Sequence, residues 1–163
     1  SDPRPVAAFS LGGVGWTAGD SARVEPLKGW RFAAYSPRPP GVEGEWVQLP
    51  RRSDFRHSDL IAAADAVFTK PGYGTFAEVL AARVPALVVP RADFRESGLM
   101  VPIVARLGRL RVLELPDFLA GRWQAGLDAL LAAREPWADV AMDGAEAVAR
   151  RALALAGAAH GTR

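Results

Sequence analysis

The chain has 163 residues, 50% of them hydrophobic and 23% charged, with 20 Lys and Arg against 18 Asp and Glu for a net charge of +2. That is enough chain for one well-buried domain and too little for two of ordinary size, and the interspersed charges lack the concentrated basic face of a nucleic-acid binder. With no cysteine and only His57 and His160, disulfides, thiolate chemistry, Cys-based zinc and histidine-rich metal sites are excluded, and no apolar run reaches membrane-spanning length.

Taken in order, Val6–Ser10 is a short apolar strand followed at once by the glycine loop Leu11-Gly12-Gly13-Val14-Gly15-Trp16. Trp30–Tyr35 is a second strand, and the Pro- and Gly-rich stretch 37–44 after it is a surface loop. Trp46–Leu49 reads as a third strand, 51–57 as irregular polar chain, and Leu60–Ala64 as a short helix capped by Ser58 or Asp59. Beyond Pro90 comes a charged loop, 91–97, then a helix with Met100, Val101, Ile103, Val104 and Leu107 on its apolar face, stopped by Gly108. Arg111–Leu115 alternates as a strand. Gly126–Ala133 and Asp143–Ala156 have helical period, the last with Asp143 as N-cap, Glu146 three residues on and Gly157 just past its end. Short apolar strands alternating with helices predict a single α/β doubly wound parallel sheet.

The stretch 65–91 organises the rest. Ala66–Phe68 is an apolar strand ending on Thr69-Lys70, Pro71-Gly72-Tyr73-Gly74 is a turn, Thr75–Arg83 is an amphipathic helix, and Ala86–Val89 is a second strand stopped by Pro90. This βαβ unit sets a helix start at the carboxyl end of a strand, where unshared N–H groups and the helix dipole favour an anion such as a phosphate. The two glycines allow a tight turn and close approach of a ligand. Strands of such sheets direct both glycine loops to one ligand at the switch in strand order. A nicotinamide dinucleotide is disfavoured: the first loop is not G-x-G-x-x-G, and the second strand ends in Ser36-Pro37-Arg38 instead of a ribose-gripping acid.

Three blocks, Gly12–Trp16, Asp59–Asp65 (Asp-Leu-Ile-Ala-Ala-Ala-Asp) and Lys70–Glu78 (Lys-x-Gly-Tyr-Gly-Thr-x-x-Glu), carry a resemblance over roughly 6–131. The chain resembles the C-terminal, donor-binding half of GT-B glycosyltransferases of the family 28 kind. It is most similar to the glycosyltransferase-like region of plant arabinokinases and related bacterial proteins. The resemblance implies a Rossmann-like domain that binds a nucleotide-diphosphate sugar, a UDP-sugar by first choice, without cofactor or metal. Gly12, Gly13 and the backbone of Gly72, Tyr73, Gly74 and Thr75 would hold the diphosphate. Glu78 would accept from the ribose hydroxyls, Glu96 would reach the donor sugar, and the neighbourhood of Leu49 would line the base. Lys70-Pro71-Gly72-Tyr73 departs from the more open Ser-Gly or His-Gly-Gly turn of many transferases, which leaves Tyr73 in position to occupy sugar space.

The residues carry plainer readings too. Thr75 and Glu78 can form a capping box, and a carboxylate spent on a cap could hardly grip a ribose. Lys70 can neutralise a phosphate or simply sit in solvent. Gly12, Gly13 and Gly15 can merely shape a turn. Asp93 and Glu96 can pair with Arg91 and Arg95 on the surface. His57 could serve as a general base or a base-stacking ring, but it reads first as a solvated loop histidine. The opening Ser1-Asp2-Pro3, directly before a strand and with no signal peptide, suggests a single domain spanning 1–163 excised from a longer cytoplasmic protein. Its partners are then the sugar donor and a missing N-terminal acceptor-binding domain that holds the catalytic base, with no nucleic acid and no transmembrane segment. The whole would be a hexosyltransferase, the piece alone inactive. The alternative is a non-catalytic module that senses a sugar or nucleotide.

Overall fold

A computed structural model of the chain describes residues 2–11, 29–35, 45–50, 52, 54–91 and 94–160, the side chains of 158–160 excepted. Six strands form one all-parallel sheet: β1 (Val6–Ser10), β2 (Arg31–Ala34), β3 (Glu45–Gln48), β4 (Ala66–Thr69), β5 (Ala86–Val88) and β6 (Leu110–Val112). Their order across the sheet is β3-β2-β1-β4-β5-β6. The chain first walks outward from β1 to β3, returns through α1 (His57–Ala62), and then walks the other way through β4, α2 (Tyr73–Ala82), β5 and α3 (Ser97–Leu107) to β6. The switch in direction therefore falls between β1 and β4, whose register pairs Ser10 with Thr69.

Alternation along the strands divides the core between the two faces of the sheet. Ala7 and Phe9 of β1 join Phe32, Phe68 and Leu87 on one face, under Trp123, Leu127 and Leu130 of the region around α5 (Gln124–Ala132). Phe9, Phe32 and Phe68 pack around Trp123 with ring centroids 5.0–6.0 Å away. Trp123 is fully buried, and its indole N–H donates to the Phe118 carbonyl at 2.8 Å. Val6 and Ala8 point to the opposite face with Val67 and Val88, covered by Leu60 and Ile61 of α1, Phe76 and Val79 of α2, and Met100, Val101 and Val104 of α3. Burial on both faces explains why the strands read as near-continuous apolar runs.

The structure departs from the sequence reading in four local details. The run Arg111–Leu115 is not one strand: β6 ends at Val112, and α4 (Leu115–Leu119) begins after Glu114, where Pro116 suits a first helical turn and Phe118 N–H reaches Glu114 O at 2.9 Å. Helix α1 starts at His57, so neither Ser58 nor Asp59 is its cap; Asp59 instead accepts the Arg56 amide at 2.7 Å from the first turn. Helix α2 starts at Tyr73, two residues before Thr75. Helix α6 (Gly144–His160) runs on through Gly157, and its side chains to 157 are all exposed. Among the described residues no helix is long and apolar enough to cross a membrane.

Truncating the aromatic hub is the sharpest test of this core. Trp123→Ala is expected to lower the free energy of unfolding by about 3–5 kcal/mol in urea titration. A loss below about 1 kcal/mol would contradict the packing.

Candidate functional site

The carboxyl ends of β1 and β4 flank the switch point. Thr69 Oγ1 donates to the Ser10 carbonyl at 3.1 Å and ties the two strand ends together. Ser10 follows Val6 and Ala8 on the face covered by α1 and α2, so its hydroxyl points toward those helices. On α1, His57 lies three and four residues before the buried Leu60 and Ile61 and shares their face. On α2, Thr75 stands in the same relation to Glu78 and the buried Val79. Periodicity alone thus brings four polar side chains to one place.

Their contacts form a row. Ser10 Oγ lies 2.8 Å from His57 Nε2, His57 Nδ1 lies 2.5 Å from Glu78 Oε2, and Ser10 Oγ lies 3.4 Å from Thr75 Oγ1. The His57 and Glu78 side chains are 36% and 29% exposed, so both remain open to a ligand. The order hydroxyl, imidazole, carboxylate is that of an activated nucleophile. Ser10, however, ends a regular strand, is only 8% exposed and is not among the described residues with positive φ, unlike the strained, exposed serine of a nucleophile elbow. The arrangement is suited to orienting hydrogen bonds.

Helix α2 presents its start beside this row. Gly72 precedes it, no side chain caps it, and its first internal bond runs from Phe76 N–H to Gly72 O at 3.0 Å. The capping-box reading of Glu78 is therefore wrong: Thr75 is already the third helical residue, and the Glu78 carboxylate goes to His57. Gly72 has an extended backbone, φ −173°, that any residue adopts, so the turn does not need glycine there. Among the described residues, nothing beyond Gly74's own chain neighbours and helix backbone lies within 4 Å of where its Cβ would be.

The next loop closes in from β5. The Glu96 carboxylate, as acceptor and as charge, pushes the Tyr73 phenol above its ordinary value. Arg91 stacks over the Phe94 ring at 5.6 Å. Lys70 follows β4 and is half-buried with a partner of its own. Gly12 and Gly13 lie outside the described residues, as do Gly15, Trp16 and Asp93. Among the described residues no group of three or more His, Cys, Asp or Glu is placed to hold a metal. Ser10 escaped the sequence reading, and the reading of His57 as a solvated loop residue is corrected: it opens α1 and is bonded to Ser10 and Glu78. The signal was there: Ser10 shares the period-2 face of Ala8, and His57 the helical face of Ile61.

No protein-family model matches the chain, and no curated protein does. Solved structures do. The glycotransferase of kitacinnamycin aligns with a TM-score of 0.55 at 17% identity over 82% of this chain and 36% of that one. Spinosyn forosaminyltransferase SpnP aligns at 0.56 and 15% over 79% of this chain and 35% of its own. The chain spans about a third of the length of these proteins. At such identities the likeness is one of fold: a six-stranded, all-parallel, Rossmann-like α/β domain of the kind found in the halves of GT-B glycosyltransferases.

The Tyr73–Glu96 contact gives a pH signature. Because the folded-state phenol is raised above the ordinary tyrosine value of 10.0, its contribution is present below that pH and is lost as pH rises through the raised value. In ultraviolet titration of a Tyr35→Phe background, which leaves Tyr73 as the single tyrosine, Glu96→Gln is expected to move the phenol midpoint downward. An unmoved midpoint would disprove the pairing.

Proposed function

We propose that this chain is the donor-binding half of a glycosyltransferase and takes a nucleotide-diphosphate sugar, a UDP-sugar by first choice. The observation that supports this reading best is the meeting, at the switch point, of an uncapped helix start and an accessible carboxylate, Glu78. Phosphates suit the first, through unshared N–H groups and the helix dipole. Vicinal hydroxyls of a ribose suit the second, since a carboxylate offers two acceptor oxygens. In this reading the backbone of Gly72, Tyr73, Gly74 and Thr75, with Gly12 and Gly13 from the first loop, holds the diphosphate, and Lys70 adds charge. Glu78 takes the ribose. Tyr73 and Glu96 stand on the sugar side, on the next loop and helix start.

The helix-start N–H groups and Lys70 supply stabilisation of the departing diphosphate, which is what such a transfer requires of this half. The base and the acceptor belong to a further, N-terminal domain, consistent with the one-third coverage of the two glycosyltransferase chains. The whole protein is then a hexosyltransferase of the cytoplasm, where its donor is made, and this piece alone binds donor and transfers nothing. A second reading, a non-catalytic sugar or nucleotide sensor of the arabinokinase-region type, draws on one observation. Glu96, the carboxylate expected to hold the sugar, acts on the Tyr73 phenol and raises it.

Thermal unfolding against UDP, GDP, dTDP, ADP and their sugar conjugates tests the reading. One ligand at a hundred times its dissociation constant should add about 2.7 kcal/mol to stability. Gly74→Ala separates site from scaffold: with open space around Gly74, alanine should leave the free protein as stable or about 0.5–1 kcal/mol more so. It should at the same time weaken the nucleotide at least about tenfold, the worth of one good backbone hydrogen bond. Full binding by Gly74→Ala, or a midpoint indifferent to every nucleotide, would refute the donor-site reading.

A further inference from the structure

Glu78, His57, Ser10 and Thr75 form a single row of hydrogen-bonding groups, at 2.5, 2.8 and 3.4 Å. The row begins on a carboxylate and ends on a hydroxyl in the first turn of α2, beside the unshared N–H groups of the helix start. Each link needs one hydrogen, and the imidazole decides which way the two hydroxyl links run. A carboxylate only accepts, so Nδ1 carries a hydrogen toward Glu78. With a neutral ring, Nε2 then has a lone pair. Ser10 donates to it, Thr75 donates to Ser10, and the row shows oxygen lone pairs to the mouth of the site. With a second hydrogen on Nε2 the Nδ1 link to Glu78 stays as it is, the His57–Ser10 and Ser10–Thr75 links reverse, and the Thr75 hydroxyl is left to donate outward. A diphosphate offers only acceptors, so it fits the second arrangement alone.

We infer that His57 adapts this site to an anion: entry of a nucleotide diphosphate adds one proton from solvent to the imidazole, and the Ser10–Thr75 row turns from accepting to donating. The inference rests on the donor-site reading above. His57 is a positioning residue here, acting through Ser10 and Thr75. The groups facing its ring are Glu78 and Thr75 from α2, Ser10 from β1, and Tyr35 just after β2. The Tyr35 ring is 6.5 Å away, and its hydroxyl donates to the Phe55 carbonyl at 3.1 Å. On the histidine's own helix, the Asp59 carboxylate is engaged by the Arg56 amide. Among the described residues Glu78 is the anionic group bonded to the ring, and its charge holds the added proton in place.

Calorimetry with UDP-glucose and its GDP, dTDP and ADP counterparts reads the proton directly, because these diphosphate diesters have no group titrating near neutrality. At about pH 8, where an ordinary histidine is neutral, titrations in buffers of different ionisation heat should show close to one proton taken up per ligand. The affinity should then fall by up to about tenfold per pH unit as pH rises. His57→Gln should abolish the uptake and weaken binding about 10- to 100-fold, the loss of a charge-assisted link. Ser10→Ala, which keeps His57 and Glu78 but cuts the row, should weaken binding and uptake together. With only two histidines in the chain, nitrogen-15 spectra should show His57 gaining a second N–H on loading. Binding without proton uptake, or undiminished affinity in Ser10→Ala, would overturn this inference and leave the donor site standing. No binding of any nucleotide sugar would overturn both.

Discussion

The parallel pairing of β1 with β4 is the constraint from which the rest follows. These strands are 56 residues apart in sequence, from Ser10 to Ala66, and everything between must leave and return around them. Their register sets Ser10 against Thr69, and the Thr69 hydroxyl closes the gap by donating to the Ser10 carbonyl at 3.1 Å. The strand order reverses at this pair, and in open parallel sheets that is where ligands sit, outside the carboxyl ends of the strands. A slip by one residue would flip Ser10 to the aromatic face and dissolve the row it begins.

The two faces of the sheet divide their labour. One is filled by large rings, Phe9, Phe32, Phe68 and Trp123, in stacked and edge contacts that fix the strands laterally. The other carries smaller side chains, Ala8, Val67 and Val88, which let α1 and α2 come close over the sheet. That closeness is what allows a histidine on α1 to reach both a strand serine and a glutamate on α2. The chemistry of the site is therefore a consequence of small residues beneath it. The bulky face gives the stability that an exposed polar row lacks.

Much of this was legible in the sequence. Val6–Ser10, the βαβ stretch around Lys70–Glu78 and the α/β class are plain from apolar runs broken by glycine and proline. Local readings failed where two signals competed. The alternation of Arg111–Leu115 concealed the helix start at Leu115, because Pro116 serves a first turn as readily as it ends a strand. Thr75 and Glu78 have the spacing of a cap, yet the helix gains an extra two residues before Thr75 and frees the carboxylate for a partner distant in sequence. That partner, His57, lies 21 residues upstream, and only packing of α1 on α2 reveals the link. Tyr73 and Glu96 were both singled out, but the effect of the Glu96 carboxylate on the Tyr73 phenol depends on the adjacency of β4 and β5.

Backbone amide shifts of the isotope-labelled chain during titration with UDP-glucose are the most direct test of the central claim, that the ligand sits at the carboxyl edge of β1 and β4. The account predicts the largest shifts at Ser10, at Tyr73 to Phe76 and at Glu78, with the amino ends of the strands undisturbed. A response centred instead on the cavity of about 300 Å³ between Ala105 and Pro136, beside the amino end of β6, would contradict it.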